Sequence, residues 1–266
     1  MNKYKIIKRG ILVLLFTAMV VYLFGCSEVI KSSQMAGTYK GSSKTLGDGI
    51  AYAFATLDDS GKPISIGVRM SEISLNGLQS EPPNDADTAW ETIIPLPKEA
   101  TAAGYDHIGI DWNPRGHIPD GIYNKPHFDF HFYMISQAER NNITAKGEDL
   151  VRINKQPTPE YMPEGYILPE GTEVPKMGAH AIDPSAPEFN NKPFSKTFIY
   201  GFYDGQLVFL EPMMTKDFLT AKTNSIDLIK LPKFYAKNGY YPTAYSVKYD
   251  VNQREFEIAL ENLVYR

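Results

Sequence analysis

The sequence predicts a mainly β protein, built as one antiparallel β-barrel or β-sandwich domain with a few short helices and a long proline-rich loop. Three observations predict this class: paired segments joined by turns, a scarcity of helical patterns, and enough chain for one large core. About 240 residues follow an apolar N-terminal stretch, and all-β domains of that size are commonly single. A cupin-like barrel is one architecture that this prediction allows.

Three predicted hairpins account for most of the expected strands. Each consists of two apolar or alternating runs around a polar turn. The paired residues are 49–57 with 64–70, 197–203 with 206–211, and 243–249 with 254–260. The second pair is joined by Asp204-Gly205, which is typical of a type I′ turn because both central residues take positive φ.

Helical segments are few and short in this prediction. We expect one or two turns at residues 136–141, 148–153 and 215–222. Residues 156–187 contain seven prolines and cannot form a central strand, because proline does not donate to the ladder. A segment of this length without regular structure is usually functional or a linker, and we expect an ordered loop lying over the sheet.

The N-terminal segment has the charge and hydropathy pattern of an export signal. Four basic residues precede an apolar run over 11–24, which is shorter than the roughly 20 residues that span a bilayer. The run ends in Leu23-Phe24-Gly25-Cys26, which resembles the lipobox of bacterial lipoproteins. That resemblance implies cleavage before Cys26 and a covalent lipid on its thiol. An ordinary signal peptide and an uncleaved anchor are the alternatives.

These features predict a simple domain organisation. We expect a signal peptide at residues 1–25, a lipidated tether at 26–35 and a single β-rich domain at 36–266. The lipid would hold the domain on a membrane of the cell envelope, facing the periplasm or the exterior, since two or three acyl chains anchor a protein stably.

Charge and cysteine content narrow the expected partners. Four of the 27 basic residues and none of the 31 acidic residues precede Cys26, so the chain from Cys26 onward carries a net charge of −8. This charge argues against nucleic acid, which requires a basic footprint, and against electrostatic attraction to anionic lipid. Cys26 is the only cysteine, so no disulfide can form within one chain.

One strand-like segment combines histidine and aspartate with phenylalanine. In the run His127-Phe128-Asp129-Phe130-His131-Phe132, parity places the phenylalanines on one face and the polar residues on the other. The phenylalanine face indicates the core and fixes the register of the strand. The opposite face therefore presents three titratable side chains together, and we interpret it as part of a metal site.

Strand geometry limits which of these side chains can share an ion. Residues four apart are separated by roughly 13 Å, so His127 and His131 are not expected to bind one metal, whereas either can share one with Asp129. We expect one site at one end of the strand, with the other end supporting it or contacting substrate. A bridging Asp129 is less favoured. Imidazole with carboxylate suits zinc, iron, manganese or nickel rather than calcium. The candidate ligands from elsewhere are His117 in a turn-rich loop, His180 in the proline-rich loop, and Glu211 at a strand end before Pro212.

Two metal-free alternatives remain open for this cluster. In one, Asp129 orients the imidazoles in a buried hydrogen-bonded network. In the other, the polar face lines a pocket for a small-molecule ligand. His107 lies in an alternating segment and is expected to be a packed histidine rather than a ligand.

Three sequence blocks carry a resemblance to a known family. They are HIGIDWNPRGHIPDGIYNKPHFDFHFY (107–133), MGAHAIDP (177–184) and YDGQLVFLEPMMT (203–215). They resemble a little-characterised family of bacterial envelope proteins whose best-known member is a Thermus protein under extracytoplasmic sigma-factor control, and the similarity extends over residues 95–215. The resemblance implies secretion and a shared histidine site, but no reaction. The family motif positions fall on His117, His127, Asp129, His131, His180 and Glu211.

Two functions follow as hypotheses. The first is a lipid-anchored metalloprotein, in which three protein ligands and an open position would suit hydrolysis, isomerisation or oxygen chemistry. The second is a non-catalytic ligand-binding or assembly protein of the envelope with a metal-free polar pocket. It is motivated by the lack of a nucleophile elbow, a phosphate loop or a paired-carboxylate motif. Whether the chain is an enzyme stays open at this point.

Overall fold

A computed structural model of the chain describes residues 35–84 and 89–266. The expected signal peptide, Cys26 and nearly all of the expected tether lie outside the described residues and stay predictions. Contacts group the described residues into one unit. In these two ranges, no helix is both long and apolar enough to cross a membrane.

Strands dominate the described residues, and the helices between them are short. The strands are β1 (Gly37–Lys40), β2 (Lys44–Leu46), β3 (Gly49–Leu57), β4 (Pro63–Ser71), β5 (Trp90–Pro95), β6 (His107–Asn113), β7 (His127–Tyr133), β8 (Glu173–Val174), β9 (Gly178–Ala181), β10 (Lys196–Tyr203), β11 (Gln206–Thr215), β12 (Ser225–Leu228), β13 (Tyr240–Tyr241), β14 (Ala244–Asp250), β15 (Glu255–Glu261) and β16 (Val264–Tyr265). The α-helices are α1 (Gln137–Asn141), α2 (Asp149–Ile153) and α3 (Lys216–Thr220), and the 3₁₀ helices are Glu72–Leu75, Lys98–Ala103, Pro159–Tyr161 and Pro187–Phe189. The three α-helices lie where the sequence predicts short helices.

The strands form two seven-stranded antiparallel sheets. In the first sheet the order is β1-β3-β4-β15-β14-β12, and β2 also pairs with β3. In the second sheet the order is β5-β6-β7-β11-β10-β9-β8, while β13 and β16 form a separate two-stranded ribbon. This arrangement confirms the predicted class, a mainly β antiparallel barrel or sandwich with few short helices.

The two sheets share one hydrophobic core. Phe128, Phe130 and Phe132 of β7 are fully buried, and they belong to the same cluster as Val68 of β4 and Ile258 of β15 in the first sheet. Burial of each phenylalanine contributes roughly 1.5–3 kcal/mol. A slip of β7 by one residue would move all three rings out of the core, so they fix which face of the strand carries the polar residues.

All three predicted hairpins are present. β3 pairs with β4, β10 with β11, and β14 with β15. Asp204 and Gly205 join β10 to β11 with φ of 52° and 71°, the pair of positive angles that a type I′ turn requires. The resulting register places Glu211 of β11 opposite Ile199 of β10.

The structure differs from the sequence prediction in the proline-rich segment. Residues 156–187 are not one continuous loop, because they include β8 and β9, which extend the second sheet to its edge. Both strands lie between prolines and contain none, so each can still pair. The segment therefore adds strands to the sheet as well as connecting them.

A second difference concerns Pro212. The sequence pattern ends this strand at Glu211, but β11 continues through Pro212 to Thr215. Pairing between β11 and β7 is interrupted between Leu210 and Met213, whereas pairing with β10 continues. Proline has no N–H to donate, which accounts for a gap on one side of the strand only. The gap lies beside His131 of β7.

Candidate metal centres

The second sheet carries a buried polar face on the side opposite the core. His127, Asp129 and His131 of β7 are at most 4% exposed, and Asp111 and Asn113 of β6 are 1% exposed. In the register of the two strands Asp111 pairs with Asp129, and Asn113 with His127. Burial of such groups is costly unless each is hydrogen-bonded or bound to an ion. Their contacts therefore decide what this face can do.

The first cluster of donors, here called the His117 group, consists of His117, His127 and Asp129. Nε2 of His127 lies 3.1 Å from Oδ1 of Asp129, and Nε2 of His117 lies 3.4 Å from Oδ2 of the same carboxylate. Asn113 donates from Nδ2 to that Oδ2 at 2.7 Å. One donor atom from each residue of the group lies within 4.8 Å of the others. The carboxylate of Asp129 thus contacts the imidazoles of both His117 and His127.

The loop between β6 and β7 brings His117 to this group. The N–H of His117 donates to the carbonyl of Tyr123 at 3.4 Å and folds the loop back on itself. Gly116 has a φ of 74°, and a Cβ at this position would lie 2.0 Å from the Tyr123 carbonyl oxygen. Both the backbone angle and the close approach therefore require glycine beside His117.

The second cluster, here called the His131 group, consists of His131, His180 and Glu211. Nε2 of His131 lies 3.5 Å from Oε1 of Glu211, and Nε2 of His180 lies 3.8 Å from Oε2. The three residues come from β7, β9 and β11, and their donor atoms also lie within 4.8 Å of one another. The ring of Phe209 packs against both imidazoles, with centroids 4.9 Å and 5.2 Å away. Packing and sheet register together hold this group in place.

Three of the four imidazoles are oriented by the same kind of contact. The contacts are His117 Nδ1 to the Ile118 carbonyl at 2.7 Å, His127 Nδ1 to the Lys125 carbonyl at 2.7 Å, and His180 Nδ1 to the Thr172 carbonyl at 2.9 Å. A carbonyl oxygen only accepts, so Nδ1 of each ring carries the proton. Nε2 then presents its lone pair to the group, as metal-ligating histidines do when a second contact fixes the ring.

Buried atoms without a hydrogen-bond partner concentrate on this face. Among the described residues they include Nε2 of His127, Oδ1 of Asp129, both ring nitrogens of His131, Oε2 of Glu211, Oδ1 of Asp111 and Oδ1 of Asn113. Buried polar atoms in native proteins are nearly all paired. In the His117 group the lone pair of His127 Nε2 faces a carboxylate oxygen, and the two repel unless a proton or a cation lies between them. The donor set therefore fits a bound cation.

Burial changes the protonation of the His131 group. Desolvation lowers the pKa of His131 to about 3 and that of His180 to about 4, so both imidazoles are neutral at pH 7. Desolvation raises the pKa of Glu211 well above its usual range, and the charges of Asp129 and Asp111 raise it further. Neutral imidazole is the ligating form, and a cation beside Glu211 would favour the ionised carboxylate.

The His117 group has the opposite charge balance. Burial raises the pKa of Asp129, but the charge of His127 and the contacts from His117 and His127 outweigh it and leave the pKa well below its usual range. Burial lowers the pKa of His117, but its contact with Asp129 outweighs this and raises the net pKa. Without a cation, these residues would form an ion pair, which is the hydrogen-bonded network considered from the sequence.

The structure places all six predicted donors on one face of the sheet, but in two groups rather than one. His127 and His131 do not share a group, as the strand spacing predicts, and each end of β7 has its own set of partners. His107 lies in neither group, since its ring stacks on Tyr133 at 4.7 Å and its Nδ1 contacts Asp106 at 2.7 Å. That the six residues ligate a metal stays a prediction.

Sequence reasoning missed Asp111 and Asn113. Both alternate with the core residues Ile110 and Trp112 in segment 107–113, and this parity was the available signal. The segment contains a single aspartate, and nothing in it shows that β6 pairs beside β7. The register that brings Asp111 to this face is a non-local feature of the sheet.

Each group has dimensions that suit one metal ion. Donor atoms within 4.8 Å of one another have a common point within about 2.8 Å of all three, close to the roughly 2.0–2.2 Å of zinc bonds to nitrogen and oxygen. Two imidazoles and one carboxylate suit zinc, iron, manganese or nickel. The side chains of His117 and His180 are 23% and 15% exposed, and the other four donors are at most 5% exposed. Solvent therefore reaches each group past one histidine.

Comparison with known proteins bears on one part of the chain. Residues 58–112 match the model of a family described as TTHB210-like, "Hypothetical protein TTHB210". The match includes Asp111 and ends before His117, so it does not extend over the two groups. The comparisons with curated proteins and with solved structures gave no match. Over residues 58–112 the chain is thus similar to a Thermus-linked family of hypothetical proteins.

Proposed function

We propose that this protein binds two divalent transition-metal ions, one at the His117 group and one at the His131 group, and that a lipid on Cys26 holds it at the bacterial envelope. The observation that carries the metal assignment is the orientation of the histidines. His117, His127 and His180 each donate a hydrogen bond from Nδ1–H to a backbone carbonyl, and Nε2 of each ring lies 3.1–3.8 Å from a buried carboxylate oxygen.

Buried charge supports a cation at the His131 group in particular. Asp111, Asp129 and Glu211 are all nearly inaccessible to solvent on the same face. Arg140 is the only fully buried lysine or arginine among the described residues, and it is already paired with Glu91. Asp129 has His117 and His127 beside it, whereas Glu211 lies beside neutral imidazoles, so ionising Glu211 is costly and a cation bound at the His131 group would offset this cost.

The chemistry available to such sites follows from their donors. A metal ion held by two imidazoles and one carboxylate keeps open coordination positions and supplies Lewis-acid chemistry to a bound water or substrate. In this chain the four other donors are buried and Phe209 packs against His131 and His180, so access for solvent passes the partly exposed His117 and His180. The protein is therefore a metalloprotein in which access to the bound ions is restricted.

The envelope location rests on the N-terminal sequence alone. The basic, apolar and lipobox-like order of residues before Cys26 supports export and lipidation. The net charge of −8 from Cys26 onward gives no electrostatic attraction to anionic lipid, so attachment would depend on the acyl chains.

A metal-free pocket is the competing function, and one observation favours it. Asp129 and His117 shift each other's pKa in the directions of a self-sufficient ion pair. The His131 group lacks this compensation, because both of its imidazoles are neutral beside Glu211. A bound cation would therefore compensate more unbalanced charge at the His131 group than at the His117 group.

Elemental analysis tests the proposal. The purified protein, expressed in medium supplemented with zinc, manganese, iron and nickel and then dialysed, is expected to retain about two equivalents of transition metal, one for each His₂–carboxylate set. The matched control is the variant His107→Gln, which removes a buried histidine outside both groups and is expected to retain the same amount. Protein that retains no transition metal above the buffer background would contradict the proposal.

A further inference from the structure

His131 is the one imidazole of the two groups that no backbone carbonyl orients. Its ring is 1% exposed, and neither Nδ1 nor Nε2 has a hydrogen-bond partner among the described residues. His117, His127 and His180 each give Nδ1–H to a carbonyl. The tautomer of His131, and hence the nitrogen available to a metal, must be set in another way.

A carboxylate on the neighbouring strand lies near Nδ1 of His131. Oδ2 of Asp111 lies 3.6 Å from this nitrogen, while the opposite nitrogen, Nε2, lies 3.5 Å from Glu211. The ring therefore lies between two carboxylates, one on each side. Asp111 is itself 1% exposed, and its Oδ1 has no partner among the described residues.

The pairing of β6 with β7 explains why Asp111 can reach the ring. The residue of β6 directly opposite His131 is Gly109, which has no side chain to fill the space between the strands. A Cβ at Gly109 would meet Cε2 of Tyr133 at 3.3 Å and Oε1 of Glu91 at 3.4 Å, so these two side chains occupy the remaining room. Tyr133 stacks on the face of the His131 ring at 5.7 Å and leaves the Nδ1 edge to Asp111.

We propose that Asp111 is a positioning residue of the His131 group, which accepts the Nδ1–H of His131 and so leaves Nε2 as the atom that ligates the metal ion. This inference rests on the proposed function. A shift of about 0.7 Å brings Oδ2 into hydrogen-bond range of Nδ1. The resulting carboxylate–histidine–metal arrangement orients the ring and makes Nε2 a stronger donor. Asp111 then fixes the tautomer of His131, as a backbone carbonyl fixes the tautomer of each of the other three histidines.

The test uses NMR spectroscopy to observe the His131 ring separately from the other histidines. With five histidines in the chain, ¹⁵N spectra of histidine-labelled protein can be assigned, and His131 is identified by the loss of its signals in His131→Gln. Spectra are recorded for the metal-free and the Zn²⁺-loaded full chain. Zinc affinity at His131 is read from its ring signals during titration against a competing chelator. The variants are Asp111→Asn and, as a matched control, Asp106→Asn, whose carboxylate contacts Nδ1 of His107 outside both groups.

In the Zn²⁺-loaded wild type we expect His131 to carry its proton on Nδ1 and to ligate through Nε2. The Asp111→Asn amide can donate to Nδ1 and favour the wrong tautomer, so zinc affinity at His131 is expected to fall about 10–100-fold, the usual cost of losing such a partner. Asp106→Asn is expected to match the wild type. Ligation through Nδ1, or wild-type affinity in Asp111→Asn, would overturn the proposal.

Failure of the proposed function gives a different result. If neither group binds zinc, the metal-free spectra decide the role of Asp111. A His131 tautomer that is Nδ1–H in the wild type and mixed in Asp111→Asn supports Asp111 as the positioning residue, and identical spectra contradict it. Because the wild-type spectra alone can contradict the assignment, the test holds even if Asp111→Asn does not fold.

Discussion

Asp129 and His131 are two residues apart on the same face of β7, yet they belong to different donor groups. Their Cα atoms are separated by roughly 6.8 Å, the spacing of alternate residues on a strand. Each can therefore pair with donors from a different direction, the loop at His117 or the strand at His180. The charge of Asp129 nevertheless acts on Glu211 of the other group. The two groups are separate in their ligands but electrostatically coupled.

The separation of the groups predicts that each can be lost alone. We expect His127→Gln to abolish binding at the His117 group and His131→Gln to abolish binding at the His131 group, so that each variant retains about one equivalent of metal. The double variant is expected to retain none. Elemental analysis of the three proteins measures this. Loss of both ions in either single variant would show that the two groups form one site.

Burial of Glu211 predicts that the metal-free protein loses folding stability as the pH rises. Its pKa is higher in the folded than in the unfolded chain, so the folded state is favoured at low pH and loses that advantage as pH rises through the folded pKa. Metal-free Glu211→Gln, which does not ionise, is expected to melt about 2–4 °C above the metal-free wild type at pH 8, as roughly 1 kcal/mol produces in a domain of this size. The difference is expected to vanish near pH 4.

Bound metal should reverse the order of the two melting temperatures, because Glu211→Gln loses the charged ligand of the His131 group. Thermal melting in saturating Zn²⁺ is therefore expected to place the wild type above the variant. A variant that is less stable than the wild type in the absence of metal at pH 8 would contradict the assigned cost of burying Glu211.

The loop that carries His117 offers a test that changes no ligand. Gly116 and Gly121 both have positive φ, but a Cβ at Gly116 would lie 2.0 Å from the Tyr123 carbonyl, whereas nothing lies within 4 Å of one at Gly121. We expect Gly121→Ala to cost about 1 kcal/mol, the strain of alanine at this angle. Gly116→Ala should also displace His117 and weaken metal binding at its group, with the His131 group unchanged. Chelator competition measures both, and equal affinities in the two variants would contradict the role given to this loop.

Much of the fold followed from short-range patterns. Asp204-Gly205 predicts its hairpin because the turn chemistry is local, and the phenylalanines of β7 predict the polar face because parity on a strand is strict. Pro212 is a residue at which the short-range pattern gave the wrong end of a strand. Proline is usually a strand terminator, and its tolerance within β11 depends on a gap in pairing with β7 that only the assembled sheet reveals.

The candidate site was predictable only in part for a related reason. The parity of His127, Asp129 and His131 gave their common face, whereas their division into two groups depends on contacts with β9, β11 and the His117 loop. These contacts join residues far apart in sequence. Asp111 was missed because its significance depends on the register between β6 and β7 rather than on its own segment.

Lipidation predicts a specific biochemical defect. Cys26→Ala removes the thiol that would carry the lipid, so the precursor is expected to stay unprocessed and to take up no radioactive palmitate in its native host or a bacterial surrogate. Ser27→Ala is the control and is expected to be processed and labelled like the wild type. Normal labelling of Cys26→Ala would exclude Cys26 as the attachment point.

Anomalous diffraction from crystals grown with Zn²⁺ tests the claim that two metal ions bind at two defined sets of side chains. We expect two zinc peaks. One should lie about 2.0–2.2 Å from donors of His117, His127 and Asp129, and the other at the same distance from donors of His131, His180 and Glu211. Data collected above and below the zinc edge distinguish zinc from other ions. The absence of anomalous density at both groups, with their side chains bonded to one another instead, would contradict the claim.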